Sequence, residues 1–184
     1  LKSFVEGAYL SNKNPNIDTF FLAKINENNS KIFFFENNAL KFEQNFSFGS
    51  NLVINDISKI TSLNKSIVKK ILSNSKLTEK TLDQELVEKE LFENENYRKI
   101  KKKLIFEIAA ARIKELSEVL IKKNINFESF HKKDLIIFLK IKDRLNLECF
   151  KNSYSLYFSK NNYFTIKFIN SIETNDLVDN AHTL

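Results

Sequence analysis

The chain has 184 residues, 42% hydrophobic and 28% charged, with a formal net charge of +6. That balance is globular rather than disordered, and the length suffices for one substantial domain or two small ones sharing a core. One cysteine, Cys149, excludes an internal disulfide and, with two histidines, argues against zinc; no apolar run nears the ~20 residues of a membrane span.

Residues 1–10 read as the end of a helix with Phe4, Ala8 and Tyr9 on one side, and residues 12–16, which hold the only proline, as a loop. Three strands are expected next, at 19–25, 31–35 and 39–48. Asn26, Glu27, Asn28, Asn29 and Ser30 separate the first two, and Glu36, Asn37 and Asn38 the next two. Both are turn compositions, so the pattern predicts an antiparallel meander with the 31–35 strand in the middle. Leu40, Phe42, Phe46 and Phe48 share parity, which predicts one buried face for the third strand. Gly49, Ser50 and Asn51 stop it. Leu52, Val53, Ile57 and Ile60 then fall at helical spacing, and Asn64 is placed to cap a second helix carrying Ile67, Val68, Ile71 and Leu72. Residues 73–96 are charged and poorly patterned.

Residues 97–123 give the clearest helix. At roughly 100° per residue, Leu104, Ile105, Ile108, Ala109, Ile113, Leu116, Val119 and Leu120 share one broad arc. Arg112 falls near the middle of that arc and Glu115 lies inside it. Two readings stand side by side. In one, Arg112 and Glu115 form a local i,i+3 ion pair that satisfies both groups. In the other, a partly desolvated guanidinium is presented to a partner's carboxylate. After Asn124 a turn is expected, then a buried strand at 135–139, a helix near 142–150, a strand at 153–158 and a final helix at 163–172. Strands at both ends with helices between predict one α/β layer interrupted by an insertion.

No catalytic constellation emerges. His131 and His182 have no carboxylate or nucleophile arranged as a triad. Gly7 and Gly49 are the only glycines, too few for a phosphate loop whose N–H groups must approach an anion closely. The basic residues are spread along the chain and the densest cluster, 98–103, opens a helix, so nucleic acid is not an expected partner. No basic leader precedes a cleavable apolar segment, which points to the cytosol.

Gly49-Ser50-Asn51-Leu52-Val53-Ile54-Asn55-Asp56-Ile57-Ser58 resembles the Gly-Gly-Asn-x-x-Thr-x-Asp-Ile-Ala segment of the bacterial division protein family FtsA, at Gly49, Asn51, Asp56 and Ile57. Glu107-Ile108-Ala109-Ala110-Ala111-Arg112 is similar to that family's Glu-(Ile/Val)-Ile-Glu-x-Arg helix. Tyr163-Phe164-Thr165 resembles its closing Tyr-x-Thr. Each motif is short, and the resemblance rests on their order over almost the whole chain. It implies an α/β, actin-like (ribonuclease H-like) second lobe. Residues 1–62 and 131–184 would form the main subdomain and 63–130 a mostly helical inserted one. A first lobe is expected to precede a chain that begins at Leu1 without Met.

The departures bear on function. Aligned on the hairpin, Lys24 stands where the family has its phosphate-turn aspartate, and Asn26, Glu27 and Asn28 replace three glycines. Lys140 and Ile141 replace the later Gly-Gly. The family binds ATP with Mg, but side chains at these positions block phosphate approach, so no cofactor and no catalytic residue are expected in this chain. The resemblance implies an adaptor that receives the acidic C-terminal tail of the tubulin-like protein FtsZ at the inner-membrane face of the division site. Arg112 is the implied contact and Glu115 a secondary one. Self-association is a second expected contact, and membrane attachment is expected only through parts outside this chain. The alternatives are a nucleotide-binding, polymerising actin-like ATPase, or a structural lobe that has lost both activities.

Overall fold

The computed structural model describes residues 2–74, 77, 84–92, 95–124, 135–159 and 164–169. In chain order they form α1 (Lys2–Lys13), β1 (Phe20–Ile25), β2 (Ser30–Glu36), β3 (Ala39–Phe46), α2 (Asn51–Thr61), α3 (Lys65–Asn74), α4 (Lys102–Ser117), β4 (Leu135–Ile141), α5 (Arg144–Phe158) and β5 (Phe164–Phe168). A short 3-10 turn spans Lys89–Phe92, and a π-helical turn, Glu118–Lys122, continues α4.

The five strands make one sheet in the order β3-β2-β1-β4-β5. β2 lies between β1 and β3 and is antiparallel to both, as the short polar turns require, while β4 runs parallel to β1 and β5 parallel to β4. Asn37 and Asn38 both take positive φ, the geometry of a tight hairpin turn that asparagine tolerates. β1 is the centre of the molecule, and Lys24 is its one residue that is not buried. On one face Phe21, Ala23, Ile25, Phe34, Ile137 and Leu139 pack beneath α2, α3, α4 and α5. On the other, Phe20, Leu22, Phe33, Phe35 and Phe138 meet Tyr9 and Leu10 of α1.

Five local expectations are corrected. In β3 the register shifts so that Phe42 faces Phe34 while Leu40 faces Phe35. This bulge at Lys41 sends Leu40 to the α1 face and Phe42 and Phe46 to the opposite one, so shared parity did not mean a shared face. The long helix starts at Lys102, not at 97, because the segment before it is extended and Leu86 bridges to Lys101. Leu104 and Val119, expected in its core arc, are 41% and 40% exposed. Residues 153–158 are not a strand but the second half of α5, which kinks at Phe150. Phe150, Tyr154 and Phe158 are all buried, and their spacing of four is helical; Tyr154, Leu156 and Phe158 only mimic a strand alternation. The segment expected as the final helix contains β5, where Phe164 is buried, Ile166 and Phe168 are half-buried, and Thr165 and Lys167 between them are exposed. His131, Tyr163 and His182 lie outside the described residues.

Candidate functional site

The β1–β2 turn and the start of α2 form one closed unit. Ser50 and Asn51 donate their backbone N–H groups to the carbonyls of Asn26 and Glu27, both at 2.9 Å. Leu52 and Val53 donate to Gly49 and Ser50 at 3.2 and 3.0 Å. The orphan donors of the helix start, which could otherwise hold an anion, are spent on the protein's own backbone. Gly49 permits this contact: a Cβ there would overlap the Asn26 carbonyl oxygen and come within 2.8 Å of that of Glu27. Side chains reinforce it, with Asn51 Nδ2 donating to Asn28 Oδ1 at 2.8 Å and Asn26 Nδ2 to Asn29 Oδ1 at 2.6 Å.

Lys24 and Lys140, picked out above as departures, are neighbours. They pair across the parallel β1–β4 register and project to the α1 face. Both reach Glu6: Lys24 Nζ bonds Oε2, and Lys140 Nζ lies 3.1 Å from Oε1. Glu6 is 2% exposed, Lys24 13% and Lys140 22%. Burial pushes the Glu6 carboxyl up, but the hydrogen bonds and charges of Lys24 and Lys140 outweigh it and hold the group below the ordinary carboxylate value. Gly7 sets the depth of this contact, because a Cβ there would collide with the buried ring of Phe35. Sequence reasoning did not single out Glu6. The available signal was a lone carboxylate beside Gly7, Ala8 and Tyr9 on a helix expected to pack by that side.

Arg112 is doubly paired. Its Nε donates to Asp56 Oδ2 of α2, and its Nη1 lies 2.7 Å from Glu115 Oε2. The local Arg112–Glu115 pair is therefore present, and Asp56 adds a tie between α2 and α4. The guanidinium sits at the rim of the core at 26% exposure, not unpaired inside it. Asp56 and Arg112, each taken above from a separate motif, meet in space. Nearby, Arg98 closes the other end of α2 by donating to the carbonyls of Thr61 and Ser62 at 3.2 and 2.7 Å. The Asn64 side chain donates to Glu95. The half-buried Cys149 thiol donates to the Leu72 carbonyl at 3.2 Å, and burial pushes its pKa up to about 11, which disfavours the thiolate.

The fold is actin-like, the one seen in several solved structures of low sequence identity. A chain of the PilM–PilN type IV pilus biogenesis complex superposes with a TM-score of 0.61 at 9% identity, over 97% of this chain and 47% of that one. The ethanolamine utilization protein EutJ of Carboxydothermus hydrogenoformans gives 0.56 at 7% identity, over 89% and 47%. Ta0583, an archaeal actin homolog, gives 0.51 at 11% identity, over 99% and 54%. The chain thus spans about half the length of these like-folded proteins, and the likeness is one of fold. No protein-family model and no curated protein matches the sequence. Among the described residues no helix is long and apolar enough to cross a membrane.

Proposed function

We propose that this chain is the second lobe of an actin-like adaptor of the FtsA kind, which docks a short acidic–apolar tail of a tubulin-like protein on α4 and does not use ATP at this lobe. The observation that carries the reading is the closure of the β1–β2 turn onto α2, which spends the donors that a phosphate turn would need. Residues 63–130 then act as the inserted subdomain that receives the partner. The PilM–PilN structure supports the general mode, since a chain of this fold works there inside a two-protein complex.

In this reading Asp56 fixes the orientation of Arg112, while Glu115, 59% exposed, holds only Nη1 and yields to an incoming carboxylate. The test is fluorescence anisotropy with a labelled tail peptide from the tubulin-like protein of the same organism. Arg112→Glu is expected to weaken binding by about 2 kcal/mol, near thirty-fold, by setting like charges face to face. Unchanged affinity in a folded variant removes Arg112 from the site, and no binding by the unmutated protein removes the adaptor reading. Calorimetric titration of the complete protein with Mg–ATP is expected to show no heat of binding, and micromolar affinity would revive the polymerising ATPase.

A further inference from the structure

The ends of two adjacent parallel strands hold an unusual pair. Lys24 and Lys140 occupy the same register position near the C-terminal ends of β1 and β4, so two ammonium groups are held side by side. In open α/β sheets the crevice beyond the C-terminal strand ends is where ligands are received. Two cations fixed at that distance need an anion between them. Glu6 is that anion, giving one carboxylate oxygen to each lysine. It comes from α1, outside the sheet, and is nearly fully buried. Gly7 permits the close approach that brings it there.

We propose that Lys24 and Lys140 form an oxyanion site that Glu6 occupies in cis. The carboxylate stands where a small phosphate or carboxylate ligand would stand, and its one negative charge leaves the trio at a net +1. The site is shut in the unmutated chain, and opening it requires that the Glu6 side chain leave the space between the two lysines. Lys140, the more exposed of the two lysines, marks the side from which an ion would enter. The inference rests on the reading that this lobe does not use ATP, and it supplies a reason: the lobe carries its own anion.

The test uses the full chain, with melting curves in sodium phosphate and in sodium chloride at matched ionic strength. For Glu6→Ala, which removes both the charge and the side chain that fills the site, phosphate is expected to raise Tm by about 3 °C or more beyond its effect on the unmutated chain, as ligand binding to the folded state alone does. The unmutated chain is expected to show only the general stabilisation that phosphate gives over chloride, and Glu6→Ala combined with Lys24→Met to lose the extra gain. Should Glu6→Ala be unfolded in chloride, phosphate must restore its folded signal. A Glu6→Ala protein that gains nothing from phosphate beyond the unmutated chain, folded or not, overturns the proposal. That result does not touch the adaptor reading, which stands or falls on tail-peptide and Mg–ATP binding by the unmutated protein.

Discussion

Glu6, Lys24 and Lys140 on one face of the sheet, and Asp56, Arg112 and Glu115 on the other side of the molecule, are both three-membered charge clusters that join separate elements. They differ in what surrounds them. The first has one acid between two bases, with the acid 2% exposed. The second has one base between two acids, and its members are 24%, 26% and 59% exposed. In the first, water is largely excluded from the carboxylate, so that charge depends on its two partners, and breaking the set costs the buried side its ion pairs. In the second, solvent screens each contact and can replace it. A similar tally of ion pairs therefore carries different energies, and burial decides which cluster is the stronger tie within the fold.

The sharpest way to break this comparison is Glu6→Ala. It strips Lys24 and Lys140 of their shared anion and is expected to cost about 3 kcal/mol in denaturant unfolding, within the usual range for breaking a buried pair. A loss below about 1 kcal/mol would show that water reaches the lysines and that the two clusters are equivalent.

Acid gives a milder version of the same test. Lys24 and Lys140 are the charged groups facing Glu6, and they depress its pKa in the folded state. A depressed carboxyl stabilises the fold above its unfolded pKa, about 4.3, and that contribution is lost as pH falls from there through the folded value. Tm followed downward from neutral pH should therefore fall more steeply below about pH 4.5 for the unmutated chain than for Glu6→Gln. Parallel curves would mean that Glu6 contributes no linkage.

How far the sequence reached depended on period and distance. The meander, α2, α3 and β4 were legible because short polar turns and repeated apolar spacing are local signals. The first half of α5 was expected as a helix, but its second half and β5 were given each other's type, for a local reason as well. Tyr154, Leu156 and Phe158 alternate like a strand, and the decisive fact, that Phe150, Tyr154 and Phe158 are buried together, is tertiary. The bulge at Lys41 likewise leaves no mark in the residue pattern. Within the candidate site, Arg112, Glu115, Lys24, Lys140 and Asp56 could each be singled out, yet the pairing of Asp56 with Arg112 could not, nor could Glu6. Glu6 lies 134 residues from Lys140 and Asp56 lies 56 from Arg112. Only the parallel β1–β4 register and the packing of α2 on α4 bring them together.

The smallest expected effects come from the second cluster and ask whether it is held for stability or for recognition. Asp56→Ala removes the bond between α2 and α4 and leaves Arg112 with Glu115 and water. At the exposures seen here it is expected to cost about 0.5–1 kcal/mol. Glu115→Ala removes an i,i+3 pair whose acid is mostly in solvent, and its expected cost is about 0.3 kcal/mol or less. Stability alone thus ranks Asp56 slightly above Glu115. Tail-peptide affinity should rank them in opposite directions. Losing Asp56 lets the guanidinium wander and weakens binding, whereas losing Glu115 frees Nη1 for the partner's carboxylate and tightens it. Denaturant curves and anisotropy on the same two variants separate the alternatives. If both substitutions shift stability and affinity in the same sense, Arg112 is a structural tie between two helices, and the partner's contact lies elsewhere on the lobe.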